Sequence, residues 1–153
     1  MSDESLETRL APGTLKLHHI GFVVPSIQES GKSFCLALGM TWDEDIVFDP
    51  IQKVRVTFLE GNSPTDALIE LVEPGGPESP VSRFLERRGG LHHLCYEVAD
   101  LEAHLKFCES VGTIVIQQPV PAVAFAGRRI AWALTKKNLL VEFLETHKTN
   151  GDE

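Results

Sequence analysis

The sequence lacks the features that mark a membrane, secreted or nucleic-acid-binding protein. No apolar run approaches the length of a membrane span, and the polar, acidic stretch Met1–Thr14 lacks the basic start and apolar core of a secretory signal. The 14 Lys and Arg residues are scattered and the net charge is -8, which argues against a nucleic-acid partner. We therefore expect a soluble, cytoplasmic protein that contacts neither a membrane nor nucleic acid.

Cysteine is also scarce, and the three cysteines lack the paired spacing of a zinc knuckle or a redox pair. We interpret Cys35, Cys95 and Cys108 as buried thiols. With 153 residues, of which 42% are hydrophobic, the chain fits one globular domain. Residues 1–14 and 147–153 show no hydrophobic periodicity and are predicted to be disordered tails on a single domain that spans 15–146.

The sequence does contain a repeated four-residue motif. Leu17-His18-His19-Ile20 recurs as Leu91-His92-His93-Leu94, and each copy opens a predicted β-strand that is followed by a helix. In the first copy Ser26 is placed to cap the helix, and three further strands, the first of them over 40–48, complete the order β-α-β-β-β. The same order returns after residue 90. The sequence thus divides into module one (15–74), a connector (75–89) with a short helix capped by Ser79, and module two (90–146).

The strand that closes each module carries a carboxylate between aliphatic residues. Glu70 and Glu142 lie 72 residues apart, close to the 74 residues that separate His19 from His93. A carboxylate buried in mid-strand is costly unless it is paired or coordinated. A single His or Glu in a strand usually makes a hydrogen bond or faces solvent, but two of each at matching positions of a repeat favour a metal site.

Alternation along a strand assigns the individual side chains. It sends the two rings of each His pair to opposite faces, so that His18 and His92 pack against the helices while His19 and His93 face the more open side. If a pseudo-twofold axis relates the modules, two nitrogen and two oxygen ligands meet at one centre: His19, Glu70, His93 and Glu142. Such a set suits a divalent metal ion such as Zn, Co, Ni or Mn.

These residues carry a resemblance to a known family. A repeated β-α-β-β-β module with His in its first strand and Glu in its last resembles the vicinal-oxygen-chelate superfamily, which includes glyoxalase I, extradiol dioxygenases and bleomycin-sequestering proteins. Four segments are similar to its methylmalonyl-CoA epimerase subgroup: Ile69-Glu70-Leu71-Val72-Glu73-Pro74, Glu78-Ser79-Pro80-Val81, Phe84-Leu85-Glu86 and Gly89-Gly90-Leu91-His92-His93-Leu94.

The resemblance implies an α+β fold in which two paired βαβββ modules form a curved eight-stranded open-barrel sheet around a metal site. It implies the same four metal ligands, His19, Glu70, His93 and Glu142, and a homodimer. The implied reaction is epimerisation of an acyl-CoA thioester, with methylmalonyl-CoA as the leading substrate, through an enolate formed by removal of the α proton.

Epimerisation calls for one acid/base group on each face of the substrate. The resemblance assigns one role to Glu142, but Val56 occupies the position where some epimerases carry a second glutamate, and we predict Glu97 as the substitute. The apolar, proline-rich segment 119–129 is predicted to line the mouth of the pocket. Nearby cations would meet an anionic tail such as the CoA phosphate, namely Arg128, Arg129 and Lys136.

Other functions stay open at this point. A glyoxalase I-like lyase would use the same His and Glu set, and a non-catalytic binding protein that sequesters an antibiotic would need no metal. An iron-dependent dioxygenase would use only His19, His93 and Glu142. Glu70 argues against the dioxygenase, because a fourth carboxylate takes a position that oxygen would need.

Overall fold

The computed structural model describes residues 13–147, so both predicted tails lie almost wholly outside the described residues. The eight strands are β1 (Lys16–Val23), β2 (Val47–Asp49), β3 (Val54–Leu59), β4 (Leu68–Pro74), β5 (Gly90–Val98), β6 (Ile114–Pro121), β7 (Arg129–Leu134) and β8 (Leu140–Glu145). The helices are α1 (Ile27–Leu38), α2 (Ser82–Arg87), α3 (Leu101–Ser110) and a short 3-10 helix (Val123–Phe125). Within residues 13–147, no helix has the length and apolar character needed to cross a membrane.

The eight strands form one mixed sheet in the order β2-β3-β4-β1-β5-β8-β7-β6. β1 and β5 pair antiparallel at its centre, while β1 pairs parallel with β4 and β5 pairs parallel with β8. Each module therefore contributes four strands in the same arrangement on its own side of the β1–β5 seam. This curled sheet confirms the predicted α+β fold of two βαβββ modules.

The two longer helices cover the outer face of the sheet. α1 begins at the predicted cap, where the Ser26 hydroxyl accepts a hydrogen bond from the backbone N–H of Glu29. Its fully buried Ile27 packs in a cluster with Leu59 and Leu71. α3 covers module two in the same way, in a cluster of Leu101, Leu105, Cys108, Ala131, Val141 and Phe143. Each such large side chain contributes about 1.5–3 kcal/mol on full burial, so the outer packing holds the sheet and leaves the inner face for a site.

The inner, concave face has its own apolar clusters, one from each module. Module one supplies mainly valines, namely Val23, Val54, Val56, Val72 and Val81. Module two supplies Cys95, Ala122, Phe125, Ile130 and Leu144, and Phe58 packs against both clusters. Cys95 and Cys108 are buried as predicted, whereas Cys35 is only partly buried.

The second strand is shorter than the sequence predicts. A strand was expected over 40–48, but only Val47–Asp49 pairs with β3, and Thr41 makes an isolated bridge to Glu60. A turn interrupts the segment, because the backbone N–H of Asp45 donates to the Asp43 side chain and Glu44 adopts a φ of +63°. The charged run of three acidic residues therefore forms a turn and leaves module one with a short edge strand.

The connector helix begins later than expected. The sequence places its cap at Ser79, but α2 starts at Ser82 with Val81 at the N-cap and no capping side chain. The residues before it form successive turns, in which the N–H of Ser79 donates to the Gly76 carbonyl and the N–H of Ser82 donates to the Ser79 carbonyl. These turns bring Val81 into the inner cluster of module one.

Candidate metal centre

Four buried side chains converge on the concave face, one from each of the four central strands. His19 lies on β1, Glu70 on β4, His93 on β5 and Glu142 on β8, and none is more than 5% exposed. The two Nε2 atoms of His19 and His93 are 3.2 Å apart. His19 Nε2 is 3.6 Å from Glu70 Oε2 and 3.2 Å from Glu142 Oε1, and His93 Nε2 is 3.4 Å from Glu70 Oε1. The four residues predicted from the repeat are therefore brought together.

The register of the seam explains this convergence. β1 and β5 run antiparallel with Gly21 opposite His93, and Gly21 also faces Glu70 across the parallel β1–β4 pair. A Cβ atom on Gly21 would lie 2.1 Å from Cε1 of His93, so only glycine leaves room for that ring. Sequence reasoning missed this residue, although a glycine inside a strand is itself a sign of close approach by another group.

Both His pairs sit at β-bulges, and this corrects the predicted positions of His18 and His92. The pairing of β1 with β5 skips His18 between Leu17 and His19, and it skips His92 on the partner strand. An extra residue at a bulge breaks the alternation of faces, so the prediction that His18 and His92 turn outward to the helices is wrong. The His18 ring contacts Phe58 and Phe125 of the inner clusters, and His92 lines the inner cavity.

Each bulge brings the two rings of its pair into hydrogen-bond contact. The Nδ1 atoms of His18 and His19 are 2.8 Å apart, and the Nδ1 atoms of His92 and His93 are also 2.8 Å apart. In both His19 and His93, the Nδ1 atom therefore contacts the neighbouring histidine, while the Nε2 atom faces the centre of the cluster. Metal-binding histidines commonly show this arrangement, because a partner on the second nitrogen fixes the tautomer and the ring orientation.

The electrostatics of the cluster favour an ionised carboxylate. Burial opposes ionisation of Glu142, but the imidazoles of His19 and His93 outweigh it and hold the pKa of Glu142 below its usual range. Burial likewise opposes protonation of His19, but the carboxylates of Glu70 and Glu142 raise its pKa above the usual value. Burial and the neighbouring His93 ring lower the pKa of His92 to about 4.

The donor set fits a divalent cation. Two donors bound to one ion at about 2.1 Å lie roughly 3.0–3.4 Å apart, and the separations of 3.2–3.9 Å in the cluster are slightly wider. Glu142 Oε1 is fully buried and makes no well-formed hydrogen bond within the described residues. A buried carboxylate oxygen without a donor is costly, and a cation would satisfy it. His19, Glu70 and His93 also group as a possible metal site by their mutual distances alone.

A cavity of about 310 Å³ opens onto this centre. Its wall is mostly apolar, with Val54, Val56 and Val72 from module one. From the segment 119–129, which was predicted to line the pocket mouth, Ala122, Ala124 and Phe125 contribute to the lining. Trp132 also lines the cavity and meets His93 edge-on at 4.8 Å between ring centroids. The polar members of the lining besides the ligands are Asp49, Gln52, His92 and Gln117.

The other predicted site residues lie outside the cavity lining. Glu97 sits behind His18, with Oε1 3.7 Å from His18 Nε2 and 3.6 Å from Arg128 Nη1. Arg129 is paired with Glu145 and Glu102, and Lys136 packs against Gly112 at the end of α3. Val56, at the position where some epimerases carry glutamate, lines the cavity.

Comparison with known proteins agrees with this geometry. Residues 18–132 match the profile of the Glyoxalase/Bleomycin resistance protein/Dioxygenase superfamily. The chain belongs to this superfamily. Its fold and its two modules are those of the vicinal-oxygen-chelate proteins that the sequence resembled.

Curated relatives within the superfamily include epimerases. The mitochondrial methylmalonyl-CoA epimerase of Dictyostelium discoideum is 30% identical over 140 residues, which cover 87% of this chain and 80% of the relative. The ethylmalonyl-CoA/methylmalonyl-CoA epimerase of Cereibacter sphaeroides is 29% identical over 119 residues, covering 75% of this chain and 84% of the relative. These matches confirm the predicted resemblance to the epimerase subgroup.

A solved structure shows the same fold. The crystal structure of methylmalonyl-CoA epimerase from Mycobacterium tuberculosis superimposes with a TM-score of 0.78, covering 91% of this chain and 93% of that one. The sequence identity between the two is 24%, so this likeness speaks for the fold alone.

Proposed function

We propose that this protein is a metal-dependent epimerase that acts on an acyl-CoA thioester through an enolate, with methylmalonyl-CoA as the leading substrate. The observation that carries the proposal is the convergence of two histidines and two glutamates, all buried, at 3.2–3.9 Å beside an apolar cavity. The epimerase relatives support the choice of reaction. The ligands are His19, Glu70, His93 and Glu142, and Zn, Co, Ni and Mn all suit them.

The centre offers both charge stabilisation and a base. A bound divalent cation would supply positive charge to the two carbonyl oxygens of a malonyl thioester and so favour the enolate. Glu142 is buried, the neighbouring imidazoles hold its pKa below the usual range, and its Oε1 atom makes no hydrogen bond among the described residues, so this oxygen can accept the proton from the α carbon. Valines and Phe125 make the wall of the cavity beside this centre largely apolar.

Inversion requires a proton to return on the opposite face. The sequence predicts Glu97 as that donor, but its carboxylate lies behind His18 and outside the cavity lining, which does not support a direct role on the substrate. The CoA-binding role of Arg128, Arg129 and Lys136 stays a prediction, since all three lie outside the cavity lining. A group that serves only the opposite face has a clear signature. Its loss stops inversion but allows proton exchange by Glu142 to continue.

Deuterium exchange tests the proposed function. The full-length protein loaded with Co²⁺ is mixed with pure (2R)- or (2S)-methylmalonyl-CoA in deuterated water. We expect each isomer to give the same mixture of both, with deuterium at the α carbon. Glu102→Gln is the matched control, because this carboxylate pairs with Arg129 on the surface and lies away from the centre. Absence of exchange with every metal of the set would overturn the proposal.

The two rival functions have separate assays. A glyoxalase I-like lyase would consume the absorbance of a hemithioacetal, and the same protein preparation tests for it. A binding protein that sequesters a small molecule would contain no metal by elemental analysis. It would also keep its ligand after His19→Ala and Glu142→Ala. A homodimer, which we also propose from the resemblance, would give twice the mass of the chain in light scattering.

A further inference from the structure

The two His pairs differ in what lies behind them. The His18 ring has a carboxylate beyond its second nitrogen, because Glu97 Oε1 is 3.7 Å from His18 Nε2. Arg128 holds that carboxylate from the other side, with Nη1 3.6 Å from the same Oε1 atom and 3.3 Å from the Glu145 carbonyl oxygen. Glu97 and Arg128 are both largely buried, with side chains 23% and 15% exposed.

The direction of the hydrogens follows from the metal. A histidine that binds a cation through Nε2 carries its hydrogen on Nδ1, so His19 donates to His18 Nδ1, 2.8 Å away. His18, accepting at Nδ1, then carries its hydrogen on Nε2 and directs it towards Glu97. In the row of four residues His19, His18, Glu97 and Arg128, each hydrogen-bond donor or cation thus faces an acceptor or an anion.

The second pair, His92 and His93, has no corresponding carboxylate behind it among the described residues. His92 contacts His93 through Nδ1 at the same 2.8 Å, but its ring lies against Phe84 and near Trp132. Within residues 13–147, no carboxylate lies within ion-pair distance of the His92 ring. His92 instead borders the cavity. His19 and His93 therefore each contact a neighbouring histidine, but only the neighbour of His19 has a carboxylate behind it among the described residues.

We propose that Glu97, held by Arg128, is a positioning residue that acts through His18 to fix the His19 imidazole with Nε2 towards the metal. This inference rests on the metal centre of the proposed function, and it does not depend on the substrate. Removal of such outer partners typically weakens metal binding by 10- to 100-fold. Because Glu97 acts through one intermediate ring, we expect a loss of about tenfold when it is neutralised.

The test titrates the metal-free, full-length protein with Co²⁺ and follows the visible absorption of the bound ion. Wild type, Glu97→Gln and the control Glu102→Gln are compared, with thermal unfolding of each metal-free protein as the check on folding. We expect Glu97→Gln to bind Co²⁺ about tenfold more weakly and to change its spectrum, and Glu102→Gln to match wild type. Equal affinity of Glu97→Gln and wild type would overturn the proposal.

A double substitution separates the relay from simple attraction between a carboxylate and a cation. In His18→Asn the amide oxygen replaces Nδ1 as the acceptor for His19 but cannot reach on to Glu97. If Glu97 acts through His18, adding Glu97→Gln to His18→Asn has no further effect on Co²⁺ affinity. If the loss is the same in both backgrounds, the carboxylate acts through its charge alone and the proposal fails. Failure of wild type to bind Co²⁺ would instead refute the metal centre itself.

Discussion

The two modules share a backbone plan and a ligand pair but differ in the walls they build. At the edge of the sheet, module one has the three-residue strand β2, and it presents valines to the cavity. Module two has the eight-residue edge strand β6 and adds a 3-10 helix. Phe125 from that helix stacks against His19 of module one, with ring centroids 5.9 Å apart. Both modules thus carry the proposed metal ligands at matching positions, while the outer strands and loops form different walls around them.

The seam between the modules shows the same contrast at single-residue scale. Gly21 and Cys95 occupy equivalent positions, two residues after His19 and His93, and each lies opposite the histidine of the other module. Gly21 leaves space for the His93 ring, whereas the buried Cys95 thiol lies beside the Glu142 carboxylate. The two equivalent positions therefore contact different residues of the cluster, His93 in one case and Glu142 in the other.

Gly21→Ala should break the symmetry most severely. The new Cβ would lie 2.1 Å from His93 Cε1, so the ring must leave its position, and one ligand is lost. We expect at least a 100-fold loss of Co²⁺ affinity and loss of α-proton exchange. Gly76→Ala is the control, because a Cβ there meets no atom within 4 Å. Wild-type Co²⁺ affinity in Gly21→Ala would show that the seam can adjust.

The two ligand glutamates should differ in their effect on the reaction. Glu142→Gln removes both a ligand charge and the base, so we expect exchange to fall by about 100- to 10,000-fold. Glu70→Gln retains an oxygen ligand and removes no base, so we expect a loss of about tenfold or less. Deuterium incorporation by the Co²⁺-loaded variants measures both. Similar losses in the two variants would mean that the modules contribute equally to proton transfer.

How far the sequence could predict this site depends on the kind of feature. The repeat predicts that His19, Glu70, His93 and Glu142 converge, and the structure brings them together, because matched positions in two modules meet across the β1–β5 seam. Strict alternation failed at His18 and His92, because a bulge depends on the pairing of two strands and leaves no signal in one of them. The path of the segment around Phe125 depends on packing against His19, which local sequence does not encode.

The smallest of these effects is expected from His104 on the outer helix α3 of module two. α3 buries His104 against Phe143 at 4.4 Å, with Nδ1 unpartnered among the described residues, and burial lowers the pKa of this ring. Because the unfolded chain takes up a proton near pH 6.5 and the folded one resists it, stability should be retained above that pH and lost as the pH falls below it. His104→Leu should weaken this acid sensitivity.

Thermal unfolding at pH 5 and pH 7 measures the effect of His104. We expect the drop in Tm between these two values to be smaller in His104→Leu than in wild type, by a few degrees. The matched change Leu105→Val, at another buried side chain of the same helix, should leave the pH dependence as it is, because it removes no titratable group. An unchanged pH dependence in His104→Leu would place the acid sensitivity elsewhere.

The seam has one consequence for the origin of the molecule. Each module contributes one histidine and one glutamate to the proposed metal centre, so half of the chain carries only half of the proposed ligands. A half-length ancestor could have completed the same centre by pairing with its own copy along β1. A gene duplication that joined the two copies would have freed each to change independently. A capping segment could then evolve over one half while the other kept an open wall of valines.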